Sequence, residues 1–344
     1  MTEDEQTKSL GVFETYLVVW IPLCMLAGVL LSMFTRAGEA IEALSIGGIS
    51  LPIGVCLFLM MYPAVLNLKG SELRKLREYP TPILLTMFSN WVVAPLVGFV
   101  LAKLFLSEHP ELFVAVILLS ASPCTAMVLV WGAMAEGNQE QNVVNTSLNT
   151  VTIMLFYGPM VALLTGIQNI PIDRWGLAVS VLVFIGLPIL AGIATRKVLI
   201  PRKGETWFDE VYRPALGKIS IGALLTTLVV LFALNGSTLL ESPEYLLLVS
   251  VPLLLSFAII VGFNILITKL FGLHYKEAVV TVLIGSSSHF EIAIATAIAA
   301  YGVGSVAALG TTMGLFWEIP IMVGLVYLAR ALGRWGFWPA NAEA

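Results

Sequence analysis

The feature that most constrains this chain is a series of apolar runs, each long enough to cross a bilayer. A helical span needs about 20 mostly apolar residues. Ten such runs occur, near residues 16–34, 49–67, 82–106, 112–134, 143–166, 175–195, 216–235, 245–271, 278–301 and 305–329. The connections are short and leave no room for a soluble second domain. Only 12% of residues are charged and 58% are hydrophobic, against roughly 25% charged in an ordinary soluble domain. Too few polar residues remain to coat a water-soluble core, so the apolar surface must face lipid, where helices satisfy their own backbone groups. The expectation is an all-α integral membrane protein with ten transmembrane helices, forming a single transporter domain over residues 1–344.

Lysine and arginine then set the orientation, because they concentrate in cytosolic loops. With the N-terminus in the cytosol, Lys8, Lys69, Arg74, Lys75, Arg77, Arg196, Lys197, Arg202, Lys203, Arg213, Lys218, Lys269, Lys276, Arg330 and Arg334 all fall inside. Only Arg36, Lys103 and Arg174 fall outside. A wrong span count would mix the two sets. The asymmetry places both termini in the cytoplasm of a multi-pass protein, expected in the plasma membrane. The first run is too long for a signal-peptide core and reads as a retained span.

Ten spans divide into two fives, about 16–166 and 175–330. Five is odd, so the second copy is inverted in the membrane. Span four from Glu111 aligns without gaps to span nine from Glu277, matching Val114/Val280, Val116/Val282, Ser120/Ser286 and Ser122/Ser288. Span two pairs with span seven through Ile53/Ile221, Gly54/Gly222, Leu57/Leu225, Leu66/Leu234 and Asn67/Asn235. Spans four and nine also turn polar at their midpoints, at Ser120–Cys124 and at Gly285–Glu291. Pro123 removes a donor and clashes with the preceding turn, while Gly285 and the serine run weaken the helix of span nine. Interrupted helices at corresponding places in inverted halves point to a transporter's binding site.

Candidate residues follow from that placement. Glu291 lies at membrane depth, where a charge costs about 2.5–3.5 kcal/mol or more. Burial favours the neutral acid and nearby half-helix N-termini favour the carboxylate, a balance suited to a proton carrier. It equally suits a structural hydrogen bond to a broken helix end. Cys124 offers a soft thiolate ligand for a thiophilic element, or a small apolar filler; Cys24 and Cys56 lie in unbroken apolar runs and read as filler. His289 is either a proton relay or a partner for a freed carbonyl. Glu318 is a second titrating group or a structural partner. Asn90 and Asn149 either line the cavity with Ser120, Ser122, Ser287 and Ser288, or bridge helices in lipid.

The aspartates, Asp4, Asp173 and Asp209, all lie outside the spans, which excludes a paired-aspartate protease. His109, His274 and His289 have no metal-ligand spacing, and no nucleotide-binding glycine motif or nucleic-acid patch appears. No cofactor is called for. Transport is then driven by an ion gradient unless a partner ATPase exists; a soluble ATPase or a homo-oligomer would leave no mark in this sequence.

The segments Pro123–Trp131 (PCTAMVLVW) and His289–Gly302 (HFEIAIATAIAAYG), supported by Leu57–Pro63 and Trp317–Val326, resemble the Acr3 arsenite permeases of the bile acid/sodium symporter superfamily. The likeness runs from about Tyr16 to Arg330. It implies ten helices in two inverted five-helix repeats, with helices four and nine broken and crossing. It also implies that Cys124 is the substrate thiol, binding arsenic(III), and Glu291 the essential acid. Family members expel arsenite, and some antimonite, against proton entry. The chain departs from the pattern at Ser286–His289, where many members carry asparagine before the Phe-Glu pair. A sodium-coupled organic-anion importer of the same superfamily is the rival reading, with Cys124 incidental. Either way, the thiol and the acid are expected to face one pocket where the two breaks meet.

Overall fold

A computed structural model describes residues 17–46, 49–66, 79–125, 127–170, 174–241, 243–302 and 304–340. The chain opens with α1 (Leu17–Phe34) and a short α2 (Ala37–Glu42). A two-residue antiparallel hairpin follows, β1 (Ser45–Ile46) and β2 (Ile49–Ser50), which leads into α3 (Leu51–Leu66). Next come α4 (Pro80–Phe88), α5 (Ala94–Leu106), α6 (Pro110–Ser120), α7 (Met127–Met134) and α8 (Gln139–Ile167). The second half holds α9 (Arg174–Val181), α10 (Leu187–Lys203), α11 (Glu205–Trp207), α12 (Arg213–Glu241), α13 (Glu244–Leu270), α14 (Tyr275–Ser286), α15 (Phe290–Tyr301) and α16 (Val306–Arg334). The small hairpin was not foreseen; otherwise the expected all-helical membrane architecture holds.

Six helical stretches are long and apolar enough to cross a membrane: Pro80–Leu106, Gln139–Ile167, Trp175–Lys203, Glu205–Leu234, Glu244–Leu270 and Val306–Arg334. Four shorter apolar helices are Val19–Phe34, Leu51–Pro63, Pro110–Ser120 and Phe290–Tyr301. Together they fall one in each of the ten runs read from the sequence. Many large apolar side chains face outward, among them Leu84, Leu104, Leu190 and Leu247. That is the pattern of a surface solvated by lipid rather than water.

Three of the long stretches contain a π-helical turn, at Ser89–Val93, Leu182–Gly186 and Phe208–Tyr212. In each case a proline, Pro95, Pro188 or Pro214, stands at the second position of the helix that follows. A proline inside a helix removes one N–H and crowds the preceding turn. A wider turn just before it lets the helix continue without a break.

The helices pack as two groups. In the first, α12 lies along α1 and α3, and α10 lies on α3. In the second, α5 packs on α6 and α13, α13 on α14 and α16, and α8 beside α7 and α14. Contacts between the groups run mainly through α9 against α15 and α8. Lys269, Lys276 and Arg330, expected on one side of the membrane, do gather at one end of the second group. There Arg330 pairs with Glu136 at 2.6 Å, Asn138 N donates to Lys276 O at 2.9 Å, and Lys269 donates to Phe337 O. Lys8, Lys69, Arg74, Lys75, Arg77, Asn67 and Asp173 lie outside the described residues.

Candidate functional site

Span four ends its first helix at Ser120 and restarts at Met127. Pro123 accounts for the gap: it has no N–H to give and holds the preceding residue extended. Leu119 O, whose helical donor would come from position 123, accepts from Ser122 Oγ at 2.8 Å instead. Ser120 Oγ adds a second bond at 3.2 Å to Ile117 O, which keeps its helical donor Ala121 N.

Span nine breaks between Ser286 and Phe290. Gly285 was expected to weaken the helix here, but it remains inside α14. A Cβ on it would sit 2.8 Å from Asn264 Oδ1, so the glycine gives room to that amide. The interruption is made instead by what takes hold of the serines. Glu318, on α16, accepts from Ser287 Oγ, from Ser288 Oγ, and from Ser288 N at 3.0 Å. Asn264 Nδ2 donates to Ser286 Oγ at 3.1 Å. Serine side chains bonded away from their own helix favour a break over continuation.

The two unwound segments lie antiparallel and pair. Pro123 stands opposite Ser288, His289 N donates to Ser122 O at 2.6 Å, and Cys124 N donates to Ser287 O at 3.3 Å. Each break therefore satisfies the backbone groups of the other, which membrane depth requires. Asn149 Nδ2 holds Cys124 O at 2.8 Å, and Asn90 Nδ2 donates to Asn149 Oδ1 at 3.1 Å. Ser89 Oγ, in the same π turn as Asn90, donates to Gly285 O at 3.0 Å. Both asparagines thus bridge helices; Asn90 lines the cavity as well.

Glu291 is in the first turn of α15, where the helix N-terminus favours a negative group. Its Oε2 lies 2.7 Å from His289 Nδ1. The two residues are 6% and 1% exposed, so the contact is sealed from bulk water. His289 Nε2 is buried and meets no hydrogen-bond partner among the described residues. Within this arrangement His289 bonds the acid beside it rather than a freed carbonyl.

A cavity of about 50 Å³ lies against the paired segments. Asn90, Ser120, Ser122, Ser287 and Ser288 line it, together with Pro123, Ser286, and Leu253, Ser256, Phe257 and Ile260 of α13. Cys124 and Glu291 do not. The thiol, 2% exposed, is packed into the apolar core, and the acid is engaged by His289. The expected meeting of the two breaks is present; the expected shared opening onto this cavity is not. Glu318 and Asn149 also lie behind the lining, each reaching it through a hydrogen-bonded neighbour. Cys24 and Cys56 sit partly buried on α1 and α3, in the other helix group, and carry no disulfide.

Sequence reasoning missed Ser89, Gln141, Asn142, Asn145, Ser256 and Asn264. One signal was available. Gln141, Asn145 and Asn149 recur at intervals of four along α8, and all three are fully buried. Such a stripe of amides faces protein, not lipid.

The profile of the Sodium Bile acid symporter family matches residues 54–242. The chain belongs to that family. It is therefore a multi-pass membrane transporter and not an enzyme. It is 35% identical to the uncharacterized transporter slr0944 of Synechocystis, over 97% of this chain and 92% of that one. It is 30% identical to the arsenical-resistance protein Acr3 of Alkaliphilus metalliredigens, covering 95% of each, and 31% identical to the Acr3 of Corynebacterium glutamicum, covering 97% and 94%. The Acr3 likeness read from the two break motifs thus extends along nearly the whole transporter.

Proposed function

We propose that this transporter expels arsenite, and antimonite by the same chemistry, from the cytosol in exchange for protons. The observation that carries the reading is Cys124. A single thiol stands at the break of span four, with its backbone N bonded to the break of span nine, in a chain 30–31% identical to two arsenical-resistance proteins.

At neutral pH arsenite is mainly the uncharged trihydroxide. The Cys124 thiol exchanges with one hydroxyl: an As–S bond forms, an As–O bond breaks, and the thiol proton leaves with the hydroxyl as water. One such bond gives selectivity and stays reversible. Glu291 carries the driving proton, taken up from outside and lost to the cytosol, with His289 steadying its carboxylate.

The thiol and the acid are both sealed in this conformation, so loading requires movement. The ten segments each cross the membrane, in two inverted repeats with both termini in the cytoplasm of the plasma membrane. The group containing the breaks rocks against the group built on α12, alternately uncovering the site. The test is arsenite accumulation in an efflux-deficient cell expressing this chain. Accumulation should fall on expression and return when the proton gradient is collapsed. Accumulation unaffected by expression would reject the substrate; efflux that follows a sodium gradient instead would favour the sodium-coupled reading.

A further inference from the structure

The amide face of α8 presents more buried acceptors than the protein has donors to meet. Gln141, Asn145 and Asn149 stand four residues apart on one side of the helix. At 1.5 Å per residue they cover about 12 Å, a little under half of a ~30 Å hydrocarbon core. The strip begins just past Gln139 and Glu140, which are exposed, as is Lys276 on the neighbouring loop. It ends at Asn149, whose amide holds Cys124 O at 2.8 Å. It therefore joins an open end of this helix group to the meeting of the breaks.

The nitrogens of the strip are engaged by protein and two of its oxygens are not. Gln141 Nε2 donates to Glu277 O at 3.2 Å and to Thr281 Oγ1 at 3.1 Å, and Asn145 Nδ2 donates to Thr86 Oγ1 at 3.4 Å. These partners fix which way the amides point. Turning Gln141 over would set its oxygen against the Glu277 carbonyl. Turning Asn145 over would set an acceptor against Thr86 Oγ1, which already gives its proton to Pro82 O. Gln141 Oε1 and Asn145 Oδ1 are thus buried and meet no donor among the described residues. The same holds for Asn142 Oδ1, one position along from Gln141, and for Thr125 Oγ1, next to Cys124. All four residues are at most 2% exposed. Buried acceptors in folded proteins are met by a protein donor or by water, and one buried water bridges two to four such groups. The four side chains are neutral, so they offer no negative charge to balance a cation.

We propose that this strip binds a file of water molecules, running inside the helix group from its cytosolic end to the breaks, and that the driving proton leaves along it. This rests on the proton-coupled reading and names the route. Arsenite and proton then travel separately: arsenite through the opening between the two helix groups, the proton along α8 within one of them. The amides hold the waters in line and do not titrate. Each water accepts a proton on one side and releases another on the opposite side. An excess proton entering at the breaks therefore emerges as a different proton near Glu140, and no water is consumed.

The test is hydroxyl-radical footprinting of the purified full-length chain in lipid, with the radicals made from water by a short X-ray pulse so that side chains beside bound water are marked even when buried. Val144, within the strip, and Val161, beyond it on the same helix, are both 0% exposed. Val144 should be oxidised and Val161 should not. Gln141→Leu/Asn145→Leu should bring Val144 down to the level of Val161 and slow arsenite-linked proton movement in proteoliposomes severalfold. Val144 marked no more than Val161 in the wild type would overturn the proposal, as would a double variant with undiminished marking or undiminished proton movement. Should the double variant fail to fold, the wild-type comparison and Asn145→Leu alone carry the test. Marking of Val144 in a chain that moves no arsenite would sink the substrate assignment and leave the water file standing.

Discussion

Cys124 has two jobs that a substitution separates. Its backbone joins the two breaks and its thiol is the proposed arsenic ligand. Cys124→Ser keeps the backbone pairing and most of the volume, so the protein should reach the membrane in normal amount while arsenite efflux is lost. Retained efflux would remove the thiol from the mechanism. Cys24→Ala and Cys56→Ala, singly or together, should leave resistance almost unchanged; a dead double variant would revive a three-thiol site. Asn149 is the structural counterpart. Asn149→Ala takes the amide donor from Cys124 O and the acceptor from Asn90 Nδ2 in a buried setting, at a cost of about 1–3 kcal/mol for a buried group left unsatisfied. A thermal-shift measurement in detergent should show a lowered midpoint even without substrate. Gly285→Ala should behave likewise, because its new Cβ meets the Asn264 amide at under 3 Å, and overpacking of this kind costs about 1–3 kcal/mol.

Among the elements, the broken helices were the most legible part of the sequence and also where its logic ran short. Pro123 announces the first break by itself. The second has no proline, and its cause is Glu318, thirty residues further along the chain. Local propensity sees a serine run but cannot see the carboxyl that will seize it. The same limit explains Gly285, which reads as a helix breaker and serves as a notch for Asn264. It also explains why Cys124 and Glu291 were expected to share the cavity: sequence places both at the break, while the direction of each side chain depends on neighbours from other helices. The two breaks make a prediction as a pair. Pro123→Ala lets span four regain helical hydrogen bonds, which would draw Cys124 N away from Ser287 O. Transport should be lost, and hydrogen exchange should quicken at 287–289 while it slows at 121–125. Exchange altered only around residue 123 would show that the breaks are independent.

For the molecule as a whole, the apolar runs carried the architecture, since lipid leaves the backbone few alternatives. The division into two helix groups was not legible, because it depends on which apolar face meets which, and the runs are apolar nearly all round. That division frames the transport cycle. The breaks, the cavity and both acids belong to one group, with α1, α3, α10 and α12 forming the other. The central claim is that a single sulfur at the meeting of the breaks takes up arsenic(III). Arsenic X-ray absorption on the purified chain loaded with arsenite tests it most directly. The account predicts one sulfur and two oxygens around arsenic in wild type, and three oxygens in Cys124→Ser. Three sulfurs, or a spectrum that Cys124→Ser leaves unchanged, would contradict it.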